Sequence, residues 1–164
     1  MPLCDTVLRL AERELFRLLL SDDVLDEATR NLVADGRCTI ENADRRRRNI
    51  KSAFDDCFVS DYHELIDAMA CGAKDRHVLA AAVVGGADQI VTINVKDFPK
   101  ASTDPYGMEV VSPDTFLQNV LDLYHSRQSR RSSIKLPASV AQRILFTTFL
   151  LHYRARYQTL RRTS

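Results

Sequence analysis

The chain has 164 residues, with 23 Lys plus Arg against 22 Asp plus Glu, a net charge of +1. All 22 acidic residues lie between Asp5 and Asp122, so residues 1–125 carry −8 and residues 126–164, with nine basic residues and no acidic one, carry +9. An apolar fraction of 45% argues against wholesale disorder, and about 125 residues suffice for one core but not for two full-sized domains.

Taken in chain order, Val7, Leu8, Leu10, Ala11 and Leu15 recur at helical spacing and predict a helix over residues 5–16. Ser21 is a good N-cap, followed by Asp22 and Asp23 at the positive end of a helix dipole. Val24, Leu25, Ala28, Leu32 and Val33 continue that helix until Gly36. Thr39 caps a third helix running through Arg45–Arg48 to about Phe54. The short β-prone stretch Cys57–Ser60 predicts a strand. An apolar helix follows over Asp75–Val84, ended by Gly85 and Gly86. Gln89–Asn94 predicts a buried strand, Met108–Val111 another, and Ser112-Pro113 opens a helix to about Tyr124. Strands alternating with helices predict an α/β fold with a parallel sheet.

The predicted division is a domain over residues 1–125 and a basic tail over residues 126–164. The tail opens with a polar hinge, and Pro137–Thr159 predicts a helix. No apolar run approaches the roughly 20 residues of a membrane span, and no secretory leader is visible. Cys4, Cys38, Cys57 and Cys71 form no C-x-x-C pair, which predicts reduced thiols and a cytoplasmic protein. No spacing supports zinc.

The acidic residues collect at element ends. Asp22 and Asp26 share one helix face, and Asp23 and Glu27 share another. Taken alone, such residues complement the dipole and stay solvated. Asp75 opens the apolar helix, and Asn94 and Asp97 follow the buried strand at its carboxyl end, where open parallel sheets bind ligands. Carboxylates gathered there repel one another unless a cation joins them, and a hard divalent ion such as Mg²⁺ or Mn²⁺ fits oxygen donors. Arg45–Arg48 reads first as a solvated helix face, and His77 as a packed histidine at a helix start.

Three stretches carry a family resemblance: Ser21–Glu27, Lys74–Ala82 and Gln89–Pro99. In order and spacing they resemble PIN-domain proteins, in the branch related to VapC-type toxins of toxin–antitoxin pairs, over about Pro2–Tyr124. The resemblance implies a PIN-like three-layer sandwich with a central parallel sheet flanked by helices. It implies a Mg²⁺- or Mn²⁺-dependent endoribonuclease acting on RNA, an antitoxin partner and a homodimer. Carried over by position, Glu27 and Asp75 match the family's metal-binding acids. The next acid falls on Asn94, which is neutral, and Asp97 is the nearest carboxylate. The expected catalytic and metal-binding residues are therefore Glu27, Asp75 and Asp97, with Asn94 and Thr92 as auxiliaries. Lys74, Arg76 and Lys96 are the candidate RNA contacts, and Lys51 and Lys100 are candidates as well.

The chain departs from the family at its start. A PIN domain opens with an interior strand bearing the first catalytic Asp, whereas this sequence opens at the loop and helix that follow. The domain therefore reads as N-terminally truncated, lacking its first strand. Three readings follow: a real start further upstream, a degraded relic, or another segment or chain filling the gap. The first two together are favoured, and filling predicts an obligate dimer or complex. The alternative function is a catalytically inactive PIN-derived module that binds RNA or an antitoxin, or a truncated gene product.

Overall fold

The computed structural model describes residues 3–129 and 142–147; for residues 3–5 and 123–129 it describes the backbone alone. Among these residues lie six α-helices and four strands: α1 (Leu3–Glu12), β1 (Arg17–Leu19), α2 (Asp22–Ala34), α3 (Ile40–Ala53), α4 (Arg76–Gly85), β2 (Gln89–Val91), α5 (Lys100–Thr103), β3 (Glu109–Val111), α6 (Pro113–Ser129) and β4 (Arg143–Phe146). The sheet has the order β1-β4-β2-β3, and every pair is parallel. Leu18 stands opposite Ile144, Val91 opposite Phe146, and Ile90 opposite Val110.

The period-2 geometry of strands sorts the core into two layers. Leu18, Leu20, Val91, Ile144 and Phe146 face one cluster, with Val7 of α1, Leu25 and Ala28 of α2, Ile50 of α3 and Phe116 and Val120 of α6. Leu19, Ile90 and Leu145 face the other, with Val24 of α2 and Val78–Ala82 of α4. The fold is an α/β three-layer sandwich around a parallel sheet, as expected. Ser21 caps α2, its hydroxyl accepting from the Val24 N–H at 3.3 Å, and Thr39 caps α3 in the same way through Asn42.

Several expectations are corrected. Residues 17–19 form β1, where no strand was expected, because Phe16-Arg-Leu-Leu-Leu20 continues an apolar run that helix and strand templates share. Of the strand expected over Cys57–Ser60, Phe58 makes only an isolated bridge to Leu20, and Asp55–Cys57 is a single 3-10 turn. The largest correction is β4. A helix was expected over Pro137–Thr159, but Arg143–Phe146 is a strand, and an interior one. It lies between β1 and β2, so the position expected to be empty is filled from within the same chain. Filling the gap therefore needs no second chain. The remainder of the basic tail, residues 130–141 and 148–164, lies outside the described residues.

Packing explains why this segment leaves helix geometry. Ile144, Leu145 and Phe146 are each 0% exposed, and apolar neighbours on both faces reward a two-sided strand. Phe146 packs against Phe116 at 5.2 Å and Phe16 at 5.8 Å, and Phe16 meets Phe116 at 5.1 Å. This aromatic trio ties β4 to α6 and to the entry of β1. The start of the strand is held by Asp88, whose carboxylate accepts from the Arg143 N–H and whose own N–H donates to the Arg143 carbonyl.

Gly86 ends α4 in the left-handed region, with φ of 61°, beside Arg143. A Cβ there would come within 2.7 Å of the Arg143 guanidinium. That side chain can swing aside, but the backbone conformation cannot relax. Gly86→Ala is therefore expected to lower stability by about 1–2 kcal/mol, the usual cost of left-handed backbone for an L-residue. Urea denaturation would measure it.

Candidate functional site at the carboxyl edge of the sheet

In a parallel α/β sheet the helices run back against the strands, so helix N-termini and strand C-termini share one edge. The N-termini of α2 and α4 and the loop after β2 meet there.

The acidic start of α2 divides as its spacing predicts. Asp22 and Asp26 turn towards α3, where Arg47 pairs with both and Lys51 with Asp22. Part of the Arg45–Arg48 block thus neutralises α2. Arg45 donates to Asn42 at 3.0 Å, and Arg48 is exposed. Asp23 and Glu27 occupy the other face. The buried Tyr62 hydroxyl donates to Asp23 at 2.9 Å, and His63, stacked on the Tyr62 ring, reaches the same carboxylate at 3.3 Å. Glu27 lies 3.4 Å from Nε2 of His77, on the first turn of α4. That nitrogen is buried and outside hydrogen-bond geometry, so the pairing is one of proximity and charge when the ring is protonated.

Asp75 stands at the N-cap of α4, yet its side chain makes no capping bond. Its Oδ2 is buried without a hydrogen-bond partner, although the side chain as a whole is 19% exposed. Lys74 is its closest counter-charge, with Nζ 3.7 Å from Asp75 and 2.8 Å from Asp97. Burial pushes the Asp75 carboxyl above its ordinary value; Asp97 and Glu27 push the same way, and Lys74 and His77 pull it back. The Asp97 hydrogen bond, with Asp75 beside it, raises the Lys74 ammonium in turn. Two carboxylates from other elements thus act on Asp75 at the head of α4: Glu27 from α2 and Asp97 in the loop after β2.

The auxiliary positions follow from β2. Thr92 is 3% exposed; its N–H extends the ladder to Val111, and its hydroxyl accepts from the Asn94 N–H at 3.1 Å. It therefore shapes the loop, and Asn94 itself is exposed. Of the basic candidates, Lys74 is engaged by carboxylates, Arg76 donates to the Cys71 carbonyl at 3.5 Å, and Lys96 and Lys100 are exposed. Lys51 is drawn away towards Asp22. Tyr62 and His63 were not singled out from the sequence. Only the aromatic next to a histidine hinted at them, and their tie to Asp23 spans 39 positions.

The donor chemistry suits a hard cation, since the site offers carboxylate and amide oxygens and a buried Oδ2 with no hydrogen bond to lose. The gathering is loose: among the described residues no three His, Cys, Asp or Glu side chains converge as a ready metal cage. Cys38, Cys57 and Cys71 are free thiols, and burial raises Cys57 and Cys71 above the ordinary thiol value, which keeps them protonated and poor ligands.

Over 67 residues, 41% of this chain, the sequence is 51% identical to a Mycobacterium tuberculosis (strain ATCC 25618 / H37Rv) protein named "Putative ribonuclease VapC50". The match covers 40% of that protein, so the chain spans less than half the length of the curated relative it matches. No protein-family model and no solved structure matches the chain. The likeness supports a VapC-like ribonuclease relationship and accords with the PIN-like α/β architecture. Among the described residues, no helix is long and apolar enough to cross a membrane.

Proposed function

We propose that the protein is a divalent-metal-dependent endoribonuclease, the toxin of a toxin–antitoxin pair, acting in the cytoplasm on RNA. The observation that carries this reading is the buried Oδ2 of Asp75, which has no hydrogen-bond partner, amid Glu27 and Asp97 at the carboxyl edge of the sheet. Active sites are where burial and like charges are combined to perturb a carboxyl in this way.

Glu27, Asp75 and Asp97 would hold Mg²⁺ or Mn²⁺, with the Asn94 carbonyl as a neutral auxiliary. When bound, such an ion lowers the pKa of water and neutralises charge on the scissile phosphate. The chain's own groups position the substrate. The exposed Lys96 and Lys100, with Arg76, attract the phosphate backbone. Lys74 keeps the acidic pair from repelling itself apart before a cation arrives. Thr92 fixes the loop that carries Asn94 and Asp97. Asp23, held by Tyr62 and His63, stiffens the first turn of α2 and with it Glu27.

The test is cleavage of RNA with Mn²⁺ by the wild type and by Asp75→Asn. Equal rates would reject the assignment.

A second reading is favoured by two observations, the neutral Asn94 and the ammonium of Lys74 set between two of the carboxylates. It is a PIN-derived module that binds RNA or an antitoxin without cutting. Its mark is salt-dependent RNA binding with no metal-dependent turnover. Homodimerisation belongs to either reading and is checked by light scattering.

A further inference from the structure

We propose that Thr147, delivered to the carboxyl edge by β4, is the central residue of the site: an uncharged cation-facing oxygen whose neutrality sets a weak metal affinity. The proposal rests on the metal-dependent reading above and names a residue that reading does not contain.

Register places it. Leu145 stands opposite Leu19 on one side, and Phe146 opposite Val91 on the other. One step further, the Thr147 N–H donates to the Val91 carbonyl at 3.2 Å, so the ladder with β2 continues past the last residue of the strand. Thr147 is therefore level with Thr92 towards β2 and with Ser21 towards β1. All three are buried, at 6%, 3% and 0% exposure. The hydroxyls of Ser21 and Thr92 are committed to the local N–H groups of Val24 and Asn94. Thr147 lies between them, on the strand that separates the α2 flank from the loop that follows β2.

The face follows from alternation. Ile144 and Phe146 pack towards α1 and α6, and Leu145 towards α4. Two residues beyond Leu145, the Thr147 side chain falls on the α4 side, where Asp75 opens the helix. Carboxylates thus stand on the flanks, and a hydroxyl stands at the centre. A hydroxyl is a hard donor but brings no charge, and affinity for a hard cation rises with the number of charged ligands. The loose gathering of carboxylates among the described residues fits a cleft whose middle position is neutral.

The experiment titrates the full chain with Mn²⁺ by calorimetry at pH 7, using wild type, Thr147→Asp, Thr147→Ser, Thr147→Val and Glu27→Gln. Thr147→Asp is expected to bind Mn²⁺ at least about tenfold more tightly than wild type, because one more charged oxygen joins the ligand set. Thr147→Ser is expected to stay within about twofold of wild type, and the isosteric Thr147→Val to bind at least about threefold more weakly. Circular dichroism checks folding. If Thr147→Asp does not fold, the Ser and Val pair decides, and equal affinities for wild type, Ser and Val would overturn the proposal. Unchanged affinity in a folded Thr147→Asp, with weakened binding in Glu27→Gln, would overturn it and leave the metal reading intact. Failure of every protein to bind Mn²⁺ would overturn both.

Discussion

Leu145→Asp is expected to leave the protein unfolded at 25 °C, with loss of the cooperative urea transition and of the far-ultraviolet helical signal. Leu145 is 0% exposed in a strand paired on both sides, and it packs with Leu19, Ile90 and the apolar face of α4. Emptying such a position costs about 2–5 kcal/mol. Forcing an unpaired carboxylate into it costs several more. Total stability is about 5–15 kcal/mol, so the sum removes most or all of it. The contrast is Leu121→Asp, at a residue 55% exposed on α6, which is expected to change stability by no more than about 0.5 kcal/mol. A Leu145→Asp protein with a wild-type transition would show that β4 is not an interior strand in solution.

Asp75→Asn is expected to move activity and stability in opposite directions. If Asp75 supplies a charged metal ligand, the amide removes that charge, and RNA cleavage with Mn²⁺ falls by at least about a hundredfold, the scale on which preorganised charge stabilisation acts. Stability, by contrast, rises at neutral pH. Burial and the neighbouring Asp97 and Glu27 raise the Asp75 carboxyl in the folded state. A raised carboxyl means that the folded protein prefers the protonated form. The stability it contributes is present below the ordinary carboxylate range and is lost as pH rises through the raised value. At pH 7 the ionised Asp75 is thus a net burden on the fold. A neutral amide at this position carries no such burden. The variant is expected to melt a few degrees higher than wild type at pH 7, with the difference shrinking as pH falls through the raised value towards the ordinary Asp value. A variant that melts lower at pH 7 than wild type would show that Asp75 serves the fold and not a site.

The two large effects also mark where the sequence was readable. The helices were legible because their signals are local. Ser21 and Thr39 announce caps, Gly86 a stop, and α4 keeps apolar residues through Val78–Ala82. Strand β2 was legible because Gln89-Ile-Val is bounded by loop residues. Strands β1 and β4 were not, since two or three apolar residues in a longer apolar run suit either period. What decides them is burial on two faces, which comes from residues far away in the chain. The candidate site divides in the same manner. Glu27, Asp75 and Asp97 were visible as carboxylates at element ends, and the structure brings Glu27 and Asp97 within electrostatic reach of Asp75. The division of Asp22 and Asp26 from Asp23 and Glu27 was visible as i,i+4 spacing. The counter-charges were not visible as such: which lysine meets Asp97, and which histidine meets Glu27, are facts of tertiary packing. Thr147 carries no local signal at all and acquires a role only through register.

The order of the strands also has a kinetic consequence. Arg17 pairs with Arg143, 126 positions later in the chain. Pairings that distant close slowly, because loop entropy is lost before any contact rewards it. During synthesis at about 5–20 residues per second, roughly 6–25 s separate the emergence of β1 from that of β4. Throughout that interval β1 lacks its β4 partner, as does β2 once it has emerged, and these edges are open to other strands and to chaperones. The cleft bounded by α2, α4 and the loop after β2 therefore has no floor on any ribosome-bound chain that stops short of Thr147. The ribonuclease activity proposed above would therefore arise only after Thr147 has left the ribosome.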